Sequence, residues 1–290
     1  LLKDTISMEA AQTSPNLDRL VQLTGDLPAM PHVASQVIKK ISDPDAGAED
    51  IQKLIAQDPS LAARVLKLAN SSFYARSRSI ATLRDAVVII GMKTVRSLVV
   101  ASVTRDLFDP FGLTEKLLWE HSVGCALGAR TIATRLRYSR VDESFLAGLL
   151  HDVGKMILFT RFPDQMRLII QEVYNDPSLS FAKLERETFG FDHAQVGRLL
   201  ARKWQFPEEI DEAIGCHHNP ARAKILPALS VIVHLANAFC HKLELGPTKK
   251  PELDMTGVPS AKALKLTEEK LTALQKEIRQ TFQAEAGALS

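Results

Sequence analysis

An all-α fold follows from three features of the sequence. Apolar residues recur at helical spacing in one stretch after another, residues that start and stop helices bound those stretches, and strand–helix alternation is absent. Val33, Val37, Ile38 and Ile41 form the first such stripe, interrupted by Asp43-Pro44-Asp45. Ile51, Leu54 and Ile55 form the next. Asp58-Pro59-Ser60 then reads as an N-cap with proline at the first helical position, ahead of Leu61, Val65, Leu66 and Leu68, and Asn70-Ser71-Ser72 closes that helix.

Thr82-Leu83-Arg84-Asp85 matches a capping box and opens Ala86–Ile90, which Gly91 terminates. Val87-Val88-Ile89-Ile90 has strand propensity taken alone, but the cap before it and the glycine after it predict a helix. Another helix follows from Met92 to Leu107, burying Val95, Leu98, Val99 and Val103. Asp109-Pro110-Phe111-Gly112 is a loop and the best internal boundary. Beyond it the pattern predicts helices over Thr114–Leu136, Asp142–Thr160, Pro163–Asn175, Ser180–Phe189, His193–Trp204, Pro207–His217 and Pro227–His241. After the turn-rich joint Gly246–Pro251, a last helix runs from about Thr267, with Leu271, Leu274, Ile278 and Phe282 on one face, packed on its own domain. Residues 1–24 read as a leader, and 246–290 as a C-terminal helical extension.

Bulk composition excludes several classes of function. The 290 residues are 46% hydrophobic and 24% charged, an ordinary globular profile. A net charge of +2 gives no reason to expect nucleic acid or an anionic membrane as partner. Arg76, Arg78 and Arg84 near Phe73 and Tyr74 make a small basic–aromatic patch, read as a solvated face rather than an RNA platform. The longest apolar stretches are interrupted by Lys93 and Arg96, too early for a membrane span. Cys125, Cys216 and Cys240 have neither disulfide nor zinc-clip spacing, and are expected to be reduced, buried cysteines of a cytoplasmic protein.

Chemistry, if present, lies in the histidines. His121, His151-Asp152, His193 and His217-His218 occur in that order, most of them in or beside predicted helices. Imidazole and carboxylate suit first-row divalent metals, and inward-facing His and Asp can build a metal site within a bundle. His151 and Lys155 are four apart, which on one helix places them on one face. Asp152 can bridge two ions, and Lys155 can meet an anionic oxygen such as phosphate. Taken singly, each histidine is more often a surface or satisfied core residue.

The order His121 … His151-Asp152-Val153-Gly154-Lys155 … His193 … His217-His218 resembles the HD superfamily of metal-dependent phosphohydrolases, and within it the HD-GYP branch that hydrolyses cyclic dinucleotides. The N-terminal half resembles the HDOD family, through Leu27-Pro28-Ala29-Met30-Pro31, the run from Ile55 to Ser71, and the run from Ile80 to Gly91. That resemblance covers roughly residues 25–245. It implies an HD-like helical bundle (113–245) preceded by a helical lobe (25–112), and a bacterial signalling or regulatory module without catalysis. A signalling protein is then the expected partner, with a nucleotide or other phosphate-containing ligand as the small-molecule candidate.

Two departures bear on activity. Asn237 stands where an HD hydrolase supplies a late aspartate, so less cation charge is balanced. After His217-His218 the chain reads Asn219-Pro220-Ala221-Arg222, without a glycine-tyrosine-proline signature. One or two ions of iron, manganese, zinc or nickel are expected on His121, His151, Asp152, His193, His217, His218 and Asn237. The alternative is a phosphohydrolase of nucleotides or cyclic dinucleotides, with Asp152 and Lys155 as its catalytic residues.

Overall fold

The computed structural model describes residues 27–71, 80–108, 112–176 and 178–289; within these, every regular element is helical. The leader, the loop residues 109–111, and Arg76, Arg78, Phe73 and Tyr74 of the basic–aromatic patch lie outside the described residues. A first group of helices comprises α1 (His32–Ile41), α2 (Ala48–Ile55), α3 (Pro59–Ala69), α4 (Leu83–Ile90) and α5 (Met92–Phe108). A second comprises α6 (Leu113–Arg135), α7 (Val141–Leu150), α8 (Val153–Arg161), α9 (Pro163–Asn175), α10 (Phe181–Phe189), α11 (His193–Lys203), α12 (Glu208–Cys216) and α13 (Pro227–Lys242). The short α14 (Pro259–Ala263) and the long α15 (Glu268–Leu289) complete the chain.

Local sequence explains the boundaries. The Asp58 carboxylate accepts from the Leu61 amide with Pro59 at the first helical position, and Thr82 Oγ1 accepts from the Asp85 amide. The Val87–Ile90 run is helical, because that cap and the positive φ of Gly91 (87°) leave the β-branched residues no extended alternative. Asn70 closes α3 and fastens it onward: its side-chain amide donates to the Ile80 carbonyl and its Oδ1 accepts from the Ile80 amide, both at 2.8 Å.

Two apolar clusters form the interior. One gathers Val37, Ile51, Ile55, Leu61, Val65 and Leu98 from the first helices, together with Leu118, Val123 and Leu127 of α6 and Phe145 and Leu149 of α7. The other centres on Cys125, Ala129 and Ile132 of α6, Leu146 and Leu150 of α7, and Phe239 of α13. Thus α6 lies between the two, packed on α7, α13 and α15. Leu271, Leu274 and Ile278 of α15 are buried in the second cluster, and Phe282 packs against the first.

Polar contacts join the ends of the chain's halves. Thr94 Oγ1 donates to Asp142 Oδ1 (3.1 Å) and Lys93 pairs with buried Glu143 (3.3 Å). Lys203 Nζ and Trp204 Nε1, at the C-terminal end of α11, donate to the carbonyls of Leu27 and Pro28 at 2.7 and 3.0 Å. Cys125 and Cys240 are buried, whereas Cys216 is half-buried, being close to the exposed end of α12. No described helix is long and apolar enough to cross a membrane.

Candidate metal centre

Each candidate ligand arrives from a helix end or an inward helix face. His121 projects from α6, and its Nδ1 lies 3.0 Å from the Leu245 carbonyl. Gly246 makes that contact available: its φ is 97°, and a Cβ there would lie 2.6 Å from His121 Cβ. His151 follows the last residue of α7, with Nδ1 2.7 Å from the Gly148 carbonyl. His217 follows α12 in the same way, Nδ1 2.7 Å from the Ile214 carbonyl. His193 opens α11 behind an Asp192 cap, and both its amide and its Nδ1 point at Glu185 Oε2 of α10, at 2.8 and 2.5 Å.

The single helix expected over Asp142–Thr160 is instead two, broken at His151-Asp152. His151 and Lys155 therefore do not share one helical face. The break has a physical reason. Asp152 stands at the N-cap of α8, yet its side chain caps nothing and turns into the interior, while glycines at 154 and 197 let α8 press against α11. Lys155, in the first turn of α8, reaches back to Asp152 Oδ2 at 2.6 Å.

Asp152 is the hub. Its Oδ2 lies 3.5 Å from His121 Nε2 and 3.4 Å from His151 Nε2; its Oδ1 lies 3.0 Å from His193 Nε2 and 3.6 Å from His217 Nε2. His218 closes the second side, with Nε2 2.8 Å from His193 Nε2. Two groups result, His121/His151/Asp152 and His193/His217/His218, the potential ligand atoms of each lying within 4.8 Å of one another. His121, His151, His193 and His217 are at most 2% exposed, and His218 alone reaches the surface. Asn237, from α13, is also buried. Cys216 belongs to neither group.

The carbonyl partners assign the tautomers. A ring nitrogen facing a carbonyl must carry the hydrogen, so in His121, His151 and His217 Nδ1 donates, and in the neutral ring Nε2 is the atom with a lone pair. Those three Nε2 atoms and Asn237 Oδ1 are buried with no hydrogen-bond partner, while Asp152 Oδ1 faces His193 Nε2. Leaving one buried acceptor unpaired costs about 1–3 kcal/mol, so three such nitrogens, each 3.4–3.6 Å from the Asp152 carboxylate, call for a cation. A divalent ion fits this donor set, and the carbonyl or carboxylate behind each ring is the arrangement that orients metal-bound histidine.

Titration behaviour fits the role of metal ligand for His121 and His217, and His193 differs from them. Burial drives His121 down to about 4 despite the Asp152 charge, and holds His217 well below its usual value, so both present neutral imidazoles near neutral pH. Burial opposes ionisation of Asp152, yet His151, Lys155 and His193 beside it outweigh that effect and keep the carboxyl well below the carboxylate range. For His193 burial also opposes the charge, but Glu185, helped by Asp152, raises it to about 9, so an ion that takes its Nε2 must displace a proton.

Two residues of the centre escape a reading of the sequence. Glu185 precedes His193 by eight residues on a different helix, and nothing in its own neighbourhood marks it. His241 stacks on His121 with ring centroids 5.1 Å apart. It follows Asn237 by four positions on α13, a spacing that could have revealed it.

Known proteins resemble this chain along most of its length. The HDOD domain family model matches residues 27–220. An HDOD domain protein of unknown function from Geobacter sulfurreducens superposes with a TM-score of 0.76 at 27% identity, over 94% of this chain and 98% of that one. A protein of Shewanella amazonensis SB2B, provisionally titled a phosphohydrolase, gives 0.73 at 24% identity, over 93% and 98%. One from Marinobacter aquaeolei VT8, provisionally titled a signal transduction protein, gives 0.72 at 22%, over 94% and 65%. These last two speak for the fold alone. A curated, uncharacterized protein of Treponema pallidum (strain Nichols) is 24% identical over 209 residues, 72% of this chain, which spans only 40% of that relative's length. With the family model covering two-thirds of the residues, and an HDOD structure superposing on nearly all of them, this chain belongs to the HDOD family.

Proposed function

We propose that this chain is a bacterial regulatory HDOD module whose buried histidine–carboxylate centre holds one or two divalent transition ions and presents its occupancy to a partner signalling protein. The observation that carries this reading is the convergence of three buried, unpartnered imidazole nitrogens, of His121, His151 and His217, on the Asp152 carboxylate. His121, His151, Asp152 and Asn237 would hold one ion; His193, His217 and His218, sharing Asp152, would hold a second. Iron, manganese, zinc and nickel all suit imidazole and oxygen donors, and the groups contain no thiolate to favour softer ions.

Regulation rather than turnover is favoured by access. The four innermost histidines are closed to solvent, and Lys155 is spent on Asp152 rather than free for a substrate phosphate. A bound ion can acidify a water or polarise a phosphoryl oxygen. A phosphohydrolase is the second reading, favoured by one observation: exposed His218 gives the centre one edge at the surface.

The test is the metal content of protein purified without chelator or added metal, by elemental mass spectrometry, beside His151→Ala/Asp152→Ala. One or two equivalents, lost in the double variant, support the metal-holding module. Folded protein that is metal-free and takes up none on titration overturns it. Metal-dependent hydrolysis of a cyclic dinucleotide, abolished in the double variant, would replace regulation with catalysis.

A further inference from the structure

The two sides of the centre are not equivalent, and the difference lies in Lys155. Its ammonium is 2.6 Å from Asp152 Oδ2, the oxygen that faces His121 and His151, while Oδ1 faces His193 and His217. An ammonium, which has no lone pair to offer an ion, therefore already sits on one oxygen of the carboxylate that both groups must share, whereas the neighbours of the other oxygen are imidazoles, which can become ligands. Lys155 is only 6% exposed, so water does not shield that charge from an arriving ion. Its other neighbour is the face of Phe181, 4.4 Å from Nζ to the ring centroid. One turn further along α10 is Glu185, whose Oε1 is buried without a partner. Helix α10 thus offers a displaced ammonium both a π face and a carboxylate oxygen.

Resting on the metal-holding reading above, we propose that Lys155 is a built-in competitor for the His121/His151/Asp152 half of the centre. The first ion enters the His193/His217/His218 half through Asp152 Oδ1. A second enters the other half only by taking Oδ2 from the ammonium, which then shifts towards Phe181 and Glu185. Three features make the His121 side the weaker one: it has the resident ammonium, a neutral Asn237 in place of a carboxylate, and no carboxylate behind its rings. Loading of the second ion is consequently coupled to α10, the helix that also orients His193.

The experiment is calorimetric titration of the chelator-treated full chain with Zn²⁺, repeated with Co²⁺ to follow its visible absorption as each ion binds. Wild type is expected to bind one ion tightly and a second more weakly. In Lys155→Met the second ion should tighten by roughly tenfold or more, while Lys155→Arg, which keeps the charge, should behave as wild type. Lys155→Gln is a second neutral variant, and circular dichroism identifies which variants are folded. A wild type that binds, with folded neutral variants whose second ion is unchanged or weaker, overturns the role of Lys155 alone. Folded wild type and variants that all bind no ion overturn the metal reading itself.

Discussion

Gly154 of α8 lies directly against the backbone of His193: a methyl group on its Cα would be 2.0 Å from the His193 carbonyl oxygen and 2.8 Å from the Gly197 amide nitrogen. Both are backbone atoms, so no side chain can move aside. The contact seats the first turn of α8, which carries Lys155, on the first turns of α11, which begins at His193.

Gly154→Ala should therefore separate α8 from α11, destabilising the fold by about 3 kcal/mol or more and weakening metal retention together. Thermal unfolding and elemental analysis of the same sample check this. A variant with wild-type stability and metal content would show that the close approach is dispensable.

Glu185→Gln keeps the shape behind His193 but removes the charge. Partners behind a metal-bound histidine are worth roughly 10–100-fold in affinity, and a loss of that size is expected in ion binding at the His193/His217/His218 half. Calorimetric titration reads it directly.

The metal-free protein should be most stable near pH 6.5, where an ordinary histidine titrates. His193, raised to about 9 by Glu185 against the effect of burial, stabilises the fold as a cation. That contribution is complete below 6.5 and is lost as pH rises through 9. His121, lowered to about 4 by burial, stabilises the fold as a neutral ring; its contribution is present above 6.5 and lost as pH falls through 4. Denaturant unfolding from pH 4 to 9 should trace a maximum, with the alkaline decline reduced in Glu185→Gln. A flat profile would contradict both assignments.

Asn237→Asp supplies the carboxylate that the centre lacks. Metal affinity at the His121 side should rise roughly tenfold, since another anionic oxygen then balances the cation. The metal-free variant should lose stability, because a further charge is buried without a partner. Parallel titration and unfolding measurements test the two signs, and unchanged affinity would remove charge balance as the reason for weak binding.

Much of this architecture is legible in the sequence because its signals are local. Asp58 before Pro59, Thr82 before Asp85, and Asp192 before Gln195 mark helix starts by the hydrogen bonds their own side chains can make. Most of the site residues stand out by type and order. The break at His151-Asp152 does not, because the apolar run on either side reads as one helix and the turn is imposed by the surroundings of a buried carboxylate. Glu185 is illegible for a related reason: its partner is set by the packing of α10 on α11, and a carboxylate in a polar-faced helix looks like any surface residue. The pairing of Lys155 with Asp152 likewise depends on that break.

The position of α6 between the two apolar clusters bears on how the molecule comes apart. Leu118, Val123 and Leu127 of this one helix complete the interior of the first lobe, while Cys125, Ala129 and Ile132 complete that of the second. A cut at the joint before α6 would strip the first lobe of those side chains and of Phe145 and Leu149, leaving an open apolar face. The lobes should accordingly melt in a single transition, and neither should survive excision as an autonomous folding unit.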